Sequence, residues 1–266
     1  MHLFDSHCHL QDERIFAKAG DIVARAREAG VTHMLCCGTR ESDWDAVKAL
    51  AARFPEIIPA FGLHPWFAGE RSDAWLEKLE TLLREVPAAA VGEIGLDHVI
   101  DERNDEDQAM VFTAQLELAR KLKRAVSMHC RKAWGTMMDI LEKQCGTPDG
   151  GVVHSYSGPP DLIRQFETLN VSLSFSGSIT YDRNKRGKAS LTAVAERYLL
   201  VETDSPDIPP LGVEQGTNEP AHLKKVAETA ALFRGCSVEE IAEITCWNGT
   251  RLFYQENAIT AWPKDS

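Results

Sequence analysis

The 266-residue sequence predicts one α/β domain, a single (β/α)8 TIM barrel with an extra C-terminal helix. Three observations carry this. Short apolar runs alternate with helical patterns eight times, as in successive parallel βα units. No composition break, linker or low-complexity stretch divides the chain. Six residues with metal-binding side chains close or follow the apolar runs, at the end of the strands where this fold carries its chemistry.

The elements follow in order. Strands are expected at 3–5, 31–37, 57–63, 90–94, 125–129, 151–154, 171–175 and 199–202. Helices are expected at 18–29, 42–54, 74–85, 105–122, 133–144, 160–169 and 187–197, with two more at 220–234 and 237–254. Ile57, Ile58 and Val152 read as apolar filling of the barrel core. The barrel is expected to occupy residues 1–256, and 257–266 to form a loose tail.

Composition bounds the function. A hydrophobic fraction of 44% is ordinary for a globular protein with a full core. No apolar run approaches the roughly 20 residues that cross a membrane. Strand-like sequence begins at Leu3, which leaves no room for a secretory leader. Seven cysteines, an odd number without CxxC spacing, read as reduced thiols of a cytoplasmic protein. Cys36 and Cys37 read as buried strand residues, and Cys8 and Cys130 as packing beside histidines. The net charge of −11 argues against coating nucleic acid by bulk electrostatics. It leaves a nuclease open, because bound divalent ions add charge that the formal count omits. The chain is read as a monomer.

The six potential ligands are His7 and His9 in LFDSHCHL, Glu93 in AVGEIGLD, His129 in AVSMHC, His154 in GVVHSYSG and Asp204 in LLVETDSP. Residues two apart on a strand share a face, so Asp5, His7 and His9 are expected together, with Ser6 and Cys8 turned away. A purely structural role for all six needs a dense polar network, since buried unpaired histidines and carboxylates are costly. Mixed imidazole and carboxylate donors suit Zn, Mn, Fe or similar divalent ions. Six ligands exceed what one tetrahedral ion needs, which implies two ions, drawn from Zn, Mn, Mg, Fe or Ni.

The motifs DSHCHL, GLHPW, VGEIGLD, MHCRKA, VVHSYSG and ETDSP occur in this order, with NEP at 218–220 and NGTRLF at 248–253. From Phe4 to Phe253 the chain resembles the TatD-like hydrolases, metal-dependent deoxyribonuclease-type enzymes of the amidohydrolase superfamily. The resemblance implies that His7, His9, Glu93 and Asp204 bind one divalent ion. It implies that Glu93, His129 and His154 bind the second, with Glu93 bridging. The chemistry agrees: a carboxylate has two oxygens and can bridge, which an imidazole cannot. Bridged ions clamp the attacking and leaving oxygens of a phosphoester. Asp204 is expected to take a proton from the attacking water, so Asp204 and Glu93 are the catalytic pair.

Neighbouring residues suggest substrate contacts. His64 in GLHPW and Arg131, two residues after His129, can each bond a phosphate. Trp66 can stack on a base or pack the rim. Ser155 and Asp97 read as residues behind the ligands, with a substrate-facing role equally open for Ser155. The basic run at 183–188 reads as a solvated helix start, with a phosphate contact as the alternative. The chain departs from the family's pattern at His98, where an aromatic is common, and at Ser155, where Cys is frequent. The segment 212–217 lacks the arginine often found before NEP.

The expected function is a divalent-metal-dependent hydrolase. DNA is the leading substrate class, cut by an exonuclease-like deoxyribonuclease. The alternatives are hydrolysis of a small cyclic amide, lactone or phosphoester, and a non-catalytic metal-binding partner protein.

Overall fold

The structure is a computed structural model and describes residues 1–101 and 103–254. The tail expected at 257–266 lies outside the described residues. Eight parallel strands form one sheet in sequential order: β1 (Leu3–Cys8), β2 (Val31–Cys37), β3 (Ile57–Phe61), β4 (Ala90–Asp97), β5 (Val126–Arg131), β6 (Gly151–Val153), β7 (Val171–Phe175) and β8 (Leu199–Val201). The ring is drawn shut beyond the short last strand. Asp204 N donates to His7 O at 3.0 Å and His9 N to Ser205 O at 2.8 Å. The Ser6 hydroxyl donates to Val201 O at 3.1 Å.

The helices α1 (Ala19–Glu28), α2 (Trp44–Arg53), α3 (Trp75–Glu85), α4 (Asp105–Leu122), α5 (Trp134–Lys143), α6 (Ile163–Thr168), α7 (Lys185–Ala193) and α8 (Leu223–Arg234) surround the barrel, and α9 (Val238–Phe253) is the extra C-terminal helix. Local chemistry sets their ends. Asn104 accepts from Asp107 N before three acidic residues at the start of α4, satisfying an orphan donor and the helix dipole together. Ser237 and Glu240 form a reciprocal capping box on α9.

Strand alternation divides the core. Outward residues such as Leu3, Met34, Val91, Met128 and Leu173 join the helices in the larger apolar layer. Phe4, Leu35, Ile58, Ala90, Val152 and Leu200 fill the barrel interior, together with Cys246 and Phe253 from α9. Ile57, expected inside, belongs instead to the outer layer, because it is one residue out of phase with Ile58. Helix α9 closes the floor. Phe253 stacks on Phe4 at 6.0 Å between centroids, and the Asn248 amide donates to Glu196 O and Leu199 O. This floor leaves the opposite rim, at the C-terminal strand ends, for chemistry. No helix among the described residues is long and apolar enough to cross a membrane.

Several boundaries differ from the sequence reading. β1, β4 and β5 run three, three and two residues past the ends expected at 5, 94 and 129, which brings His7 inside β1, while Glu93 and His129 lie within strands as expected. Polar residues past the expected ends, such as Ser6, Asp97 and Arg131, hid the continuation, since strand patterning was read from apolar runs. β3 ends early at Phe61, the helix expected at 187–197 stops at Ala193 ahead of a separate 3-10 turn at Glu196–Tyr198, and the helices expected at 160–169 and 220–234 each open with a 3-10 turn, at Pro160–Leu162 and Pro220–His222.

Candidate metal centre

At the first strand the simple alternation fails. Asp5 pairs in register with Met34 and Cys8 with Cys36, so three steps on β1 match two on β2. This irregularity, which spans Ser6 and His7, changes the phase of the strand. Asp5 is therefore not a companion of His7 in the site. Its carboxylate accepts from the Thr203 hydroxyl at 2.5 Å and Thr203 N at 2.9 Å. Ser6, expected to face away, meets Ser174 Oγ inside the barrel at 2.7 Å.

The six sequence-predicted ligands converge around Glu93. Its Oε2 lies 3.4 Å from His7 Nε2 and 3.4 Å from His9 Nε2. Its Oε1 lies 3.1 Å from His129 Nδ1 and 2.9 Å from His154 Nε2. Asp204 Oδ1 completes the first group at 3.6 Å from His9 Nε2 and 3.9 Å from His7 Nε2. Two potential ligand triads, His7–His9–Asp204 and His7–Glu93–His154, meet at His7, and a third joins His64, Glu93 and His129.

The backbone allows this crowding at defined points. Gly95 has φ +142°, and a Cβ there would stand 2.0 Å from His129 O, so only glycine lets β4 approach β5 beside the cluster. Asp204 holds the left-handed region at φ +53°, rare for a residue with a side chain, and its N–H is tied to His7 O.

Each ring has its far nitrogen engaged, which points the other inward. His7 Nδ1 meets Ser127 Oγ at 3.0 Å, and His9 Nδ1 meets Cys37 O at 2.8 Å. His154 Nδ1 meets Glu202 Oε1 at 3.3 Å, and His129 Nε2 meets Asp97 Oδ2 at 3.1 Å. Orienting partners of this kind fix ring direction and tautomer at metal sites. The donor set and these partners together fit divalent ions.

Electrostatics agree. Burial and the neighbouring His154 push His7 down to about 4, leaving it a neutral donor. Burial opposes protonation of His9, yet Asp204 and Glu93 outweigh it and raise His9 to about 10. In His154 burial is likewise overcome, by Glu93 and Glu202, and the ring sits well above the usual imidazole range. Glu93 is buried, which favours its neutral form, but His64, His154 and His7 hold it well below the usual carboxylate range. The carboxylates thus favour positive charge in the cluster, a condition that a divalent cation meets in place of ring protons.

The remaining predicted residues take distinct places. His64 is buried, its Nδ1 accepting from Trp66 N at 3.1 Å and its Nε2 3.3 Å from Glu93 Oε1. With Nδ1 an acceptor, the neutral ring carries its proton on Nε2 and donates. Arg131 is exposed on the wall of a cavity of about 670 Å³ that opens over the cluster, and Trp66 lines the same cavity. Trp66 also donates Nε1–H to Asp97 Oδ2 at 2.7 Å, so its ring is fixed beside His129. Ser155 turns to Ser176 Oγ at 2.7 Å and donates its N–H to Glu202. The basic run at 183–188 opens α7 away from the cavity lining, with Lys188 over the Phe233 ring. Glu202, Ser127 and the carbonyl of Cys37 were missed as partners of the rings. The signal for Glu202 lay in LLVETD, a carboxylate two residues before Asp204 at the end of an apolar run.

Comparison with known proteins accords with this geometry. The family model described as TatD related DNase matches residues 4–254. The metal-dependent hydrolase YabD of Bacillus subtilis is 30% identical over 251 residues, 94% of this chain and 98% of that protein. The 3'-5' ssDNA/RNA exonuclease TatD of Salmonella typhimurium is 29% identical over 259 residues, 94% and 98% of the two chains. The crystal structure of the TatD homologue YjjV of Escherichia coli superposes with a TM-score of 0.91 at 31% identity, covering 95% of this chain and 98% of that one. The chain is a metal-dependent hydrolase and belongs to the TatD related DNase family.

Proposed function

We propose that the protein is an exonuclease-like phosphodiesterase that trims single-stranded DNA from an end with two divalent ions. The observation that carries this reading is the division of Glu93, one oxygen toward His7 and His9 and the other toward His129 and His154. His7, His9 and Asp204 would hold one ion, His129 and His154 the other, and Glu93 both. Such ions supply Lewis acidity toward phosphoryl oxygens and acidify water. Asp204, which lines the cavity, accepts the proton of the attacking water at its carboxylate. Arg131 contacts the phosphate with a guanidinium fork, and His64 meets it from the cavity wall with an Nε2–H shared with Glu93 Oε1. Trp66, held by Asp97, offers a face for a terminal base.

Candidate ligands line a cavity of about 670 Å³ at the barrel rim, a recess that favours a flexible end over a stiff duplex. A duplex must fray first, at a cost of a few kcal/mol. The name of the Salmonella relative supports this substrate class. The net charge of −11 and the segment 212–217 without arginine favour a second reading, hydrolysis of a small phosphoester. End-labelled single-stranded, duplex and circular DNA, with small phosphodiesters alongside, distinguish the two. The proposal expects single-stranded ends to be shortened fastest, and rapid nicking of circular duplex contradicts it.

A further inference from the structure

We propose that Arg40 and Phe67 form an anion subsite on the β2–β3 wall of the cavity, which takes the phosphate next to the scissile one. This deepens the reading of the site as a phosphodiesterase and rests on it for the identity of the substrate. Arg40 was not among the residues suggested by the sequence motifs.

Arg40 lies in the loop after β2 and lines the same cavity as Glu93, His64, Trp66 and Arg131. Its guanidinium lies over the Phe67 ring, 4.6 Å from the centroid. Stacked there, it keeps its N–H edges available for a planar fork, the geometry that fits a phosphate. No carboxylate among the described residues lies within ion-pair distance of it. The contrast with Arg14 on the same cavity is direct. Arg14 is bonded by Asp12 and Asp207 at 2.7 to 2.9 Å, so its donors are occupied.

The loop is anchored to the centre. Asp43 accepts from Thr39 N, the Thr39 hydroxyl and Arg40 N. Gly38 O accepts from Glu93 N at 2.7 Å, and Thr39 O accepts from His64 N at 2.8 Å. The backbone preceding Arg40 is therefore bonded to the bridging carboxylate's strand and to the His64 turn. A positive group held in fixed relation to a phosphoester site, but offset from it on the cavity wall, matches a substrate with a second phosphate further along its chain. A strand of nucleic acid presents such a repeat, whereas a lone phosphodiester does not.

The test compares a thymidine dinucleotide with one phosphate and a trinucleotide with two. Equilibrium binding to the metal-loaded protein is measured for wild type, Arg40→Gln and Arg40→Lys, with turnover of both compounds as a separate readout. The subsite predicts that Arg40→Gln weakens trinucleotide binding roughly tenfold and dinucleotide binding less than twofold. Arg40→Lys recovers part of the loss. Equal weakening of both compounds, or of neither, overturns the subsite. Selective weakening of the trinucleotide in a protein that cleaves neither compound would support the subsite while removing the phosphodiesterase reading.

Discussion

Asp97 Oδ2 stands 3.1 Å from His129 Nε2, on the side of the ring opposite Glu93. The contact turns His129 so that Nδ1 meets the cluster, and the same oxygen receives Trp66 Nε1–H at 2.7 Å. One carboxylate thus sets a ligand ring and a rim aromatic together. Asp97→Asn should weaken one of two divalent-ion affinities by about 10- to 100-fold, the usual effect of removing such a partner. A chelator-competition titration reads this directly. Unchanged affinity for both ions would mean that Asp97 serves only Trp66.

Asp204→Asn should reduce turnover at saturating metal by at least ~100-fold with little change in thermal stability. The amide keeps the shape of the side chain but cannot accept the proton. Steady-state kinetics beside a melting curve separate the two effects. Near-normal turnover would remove Asp204 from the mechanism.

The close approach of β4 to β5 makes Gly95 a stability position. Gly95→Ala combines strain at φ +142° with a Cβ placed 2.0 Å from His129 O. A cost of about 3 kcal/mol or more is expected, which lowers the melting temperature by roughly 6–12 °C in a domain of this size. Gly69→Ala is the control, because nothing lies within 4 Å of its would-be Cβ. Equal melting temperatures for the two variants would contradict the packing described at the cluster.

Phe253→Ala should destabilise without touching the chemistry. Phe253 is buried against Phe4 at the floor, at the end of the barrel opposite the ligands. Loss of a buried phenyl costs about 3–5 kcal/mol. The folded fraction should retain wild-type kcat, measured well below the melting temperature. A fall in kcat with full folding would show that floor and rim are coupled.

The fold was legible because strand-length apolar runs and helical patterns alternate without a break, and all eight strands were found. The six candidate ligands were legible because each sits against an apolar run, as His154 does after Gly151–Val153. The phase of β1 was hidden, since a bulge leaves no mark in the alternation of LFDSHC and only its pairing with β2 reveals it. Ser127 was hidden for another reason. Its importance lies in a contact made across strands, to His7, which no local spacing encodes, whereas Glu202, which meets His154, left a trace in LLVETD that went unread. Arg40 stood in a loop without a motif, and its place depends on the bonds from Gly38 and Thr39 to neighbouring strand ends.

The most direct test of the two-ion centre is anomalous diffraction from crystals of the metal-loaded protein. The account predicts two peaks about 3.5–4 Å apart. One should be bound by His7, His9 and Asp204, the other by His129 and His154, with Glu93 reaching both. A single peak, or two peaks with His129 and His154 outside coordinating distance of either, would contradict it.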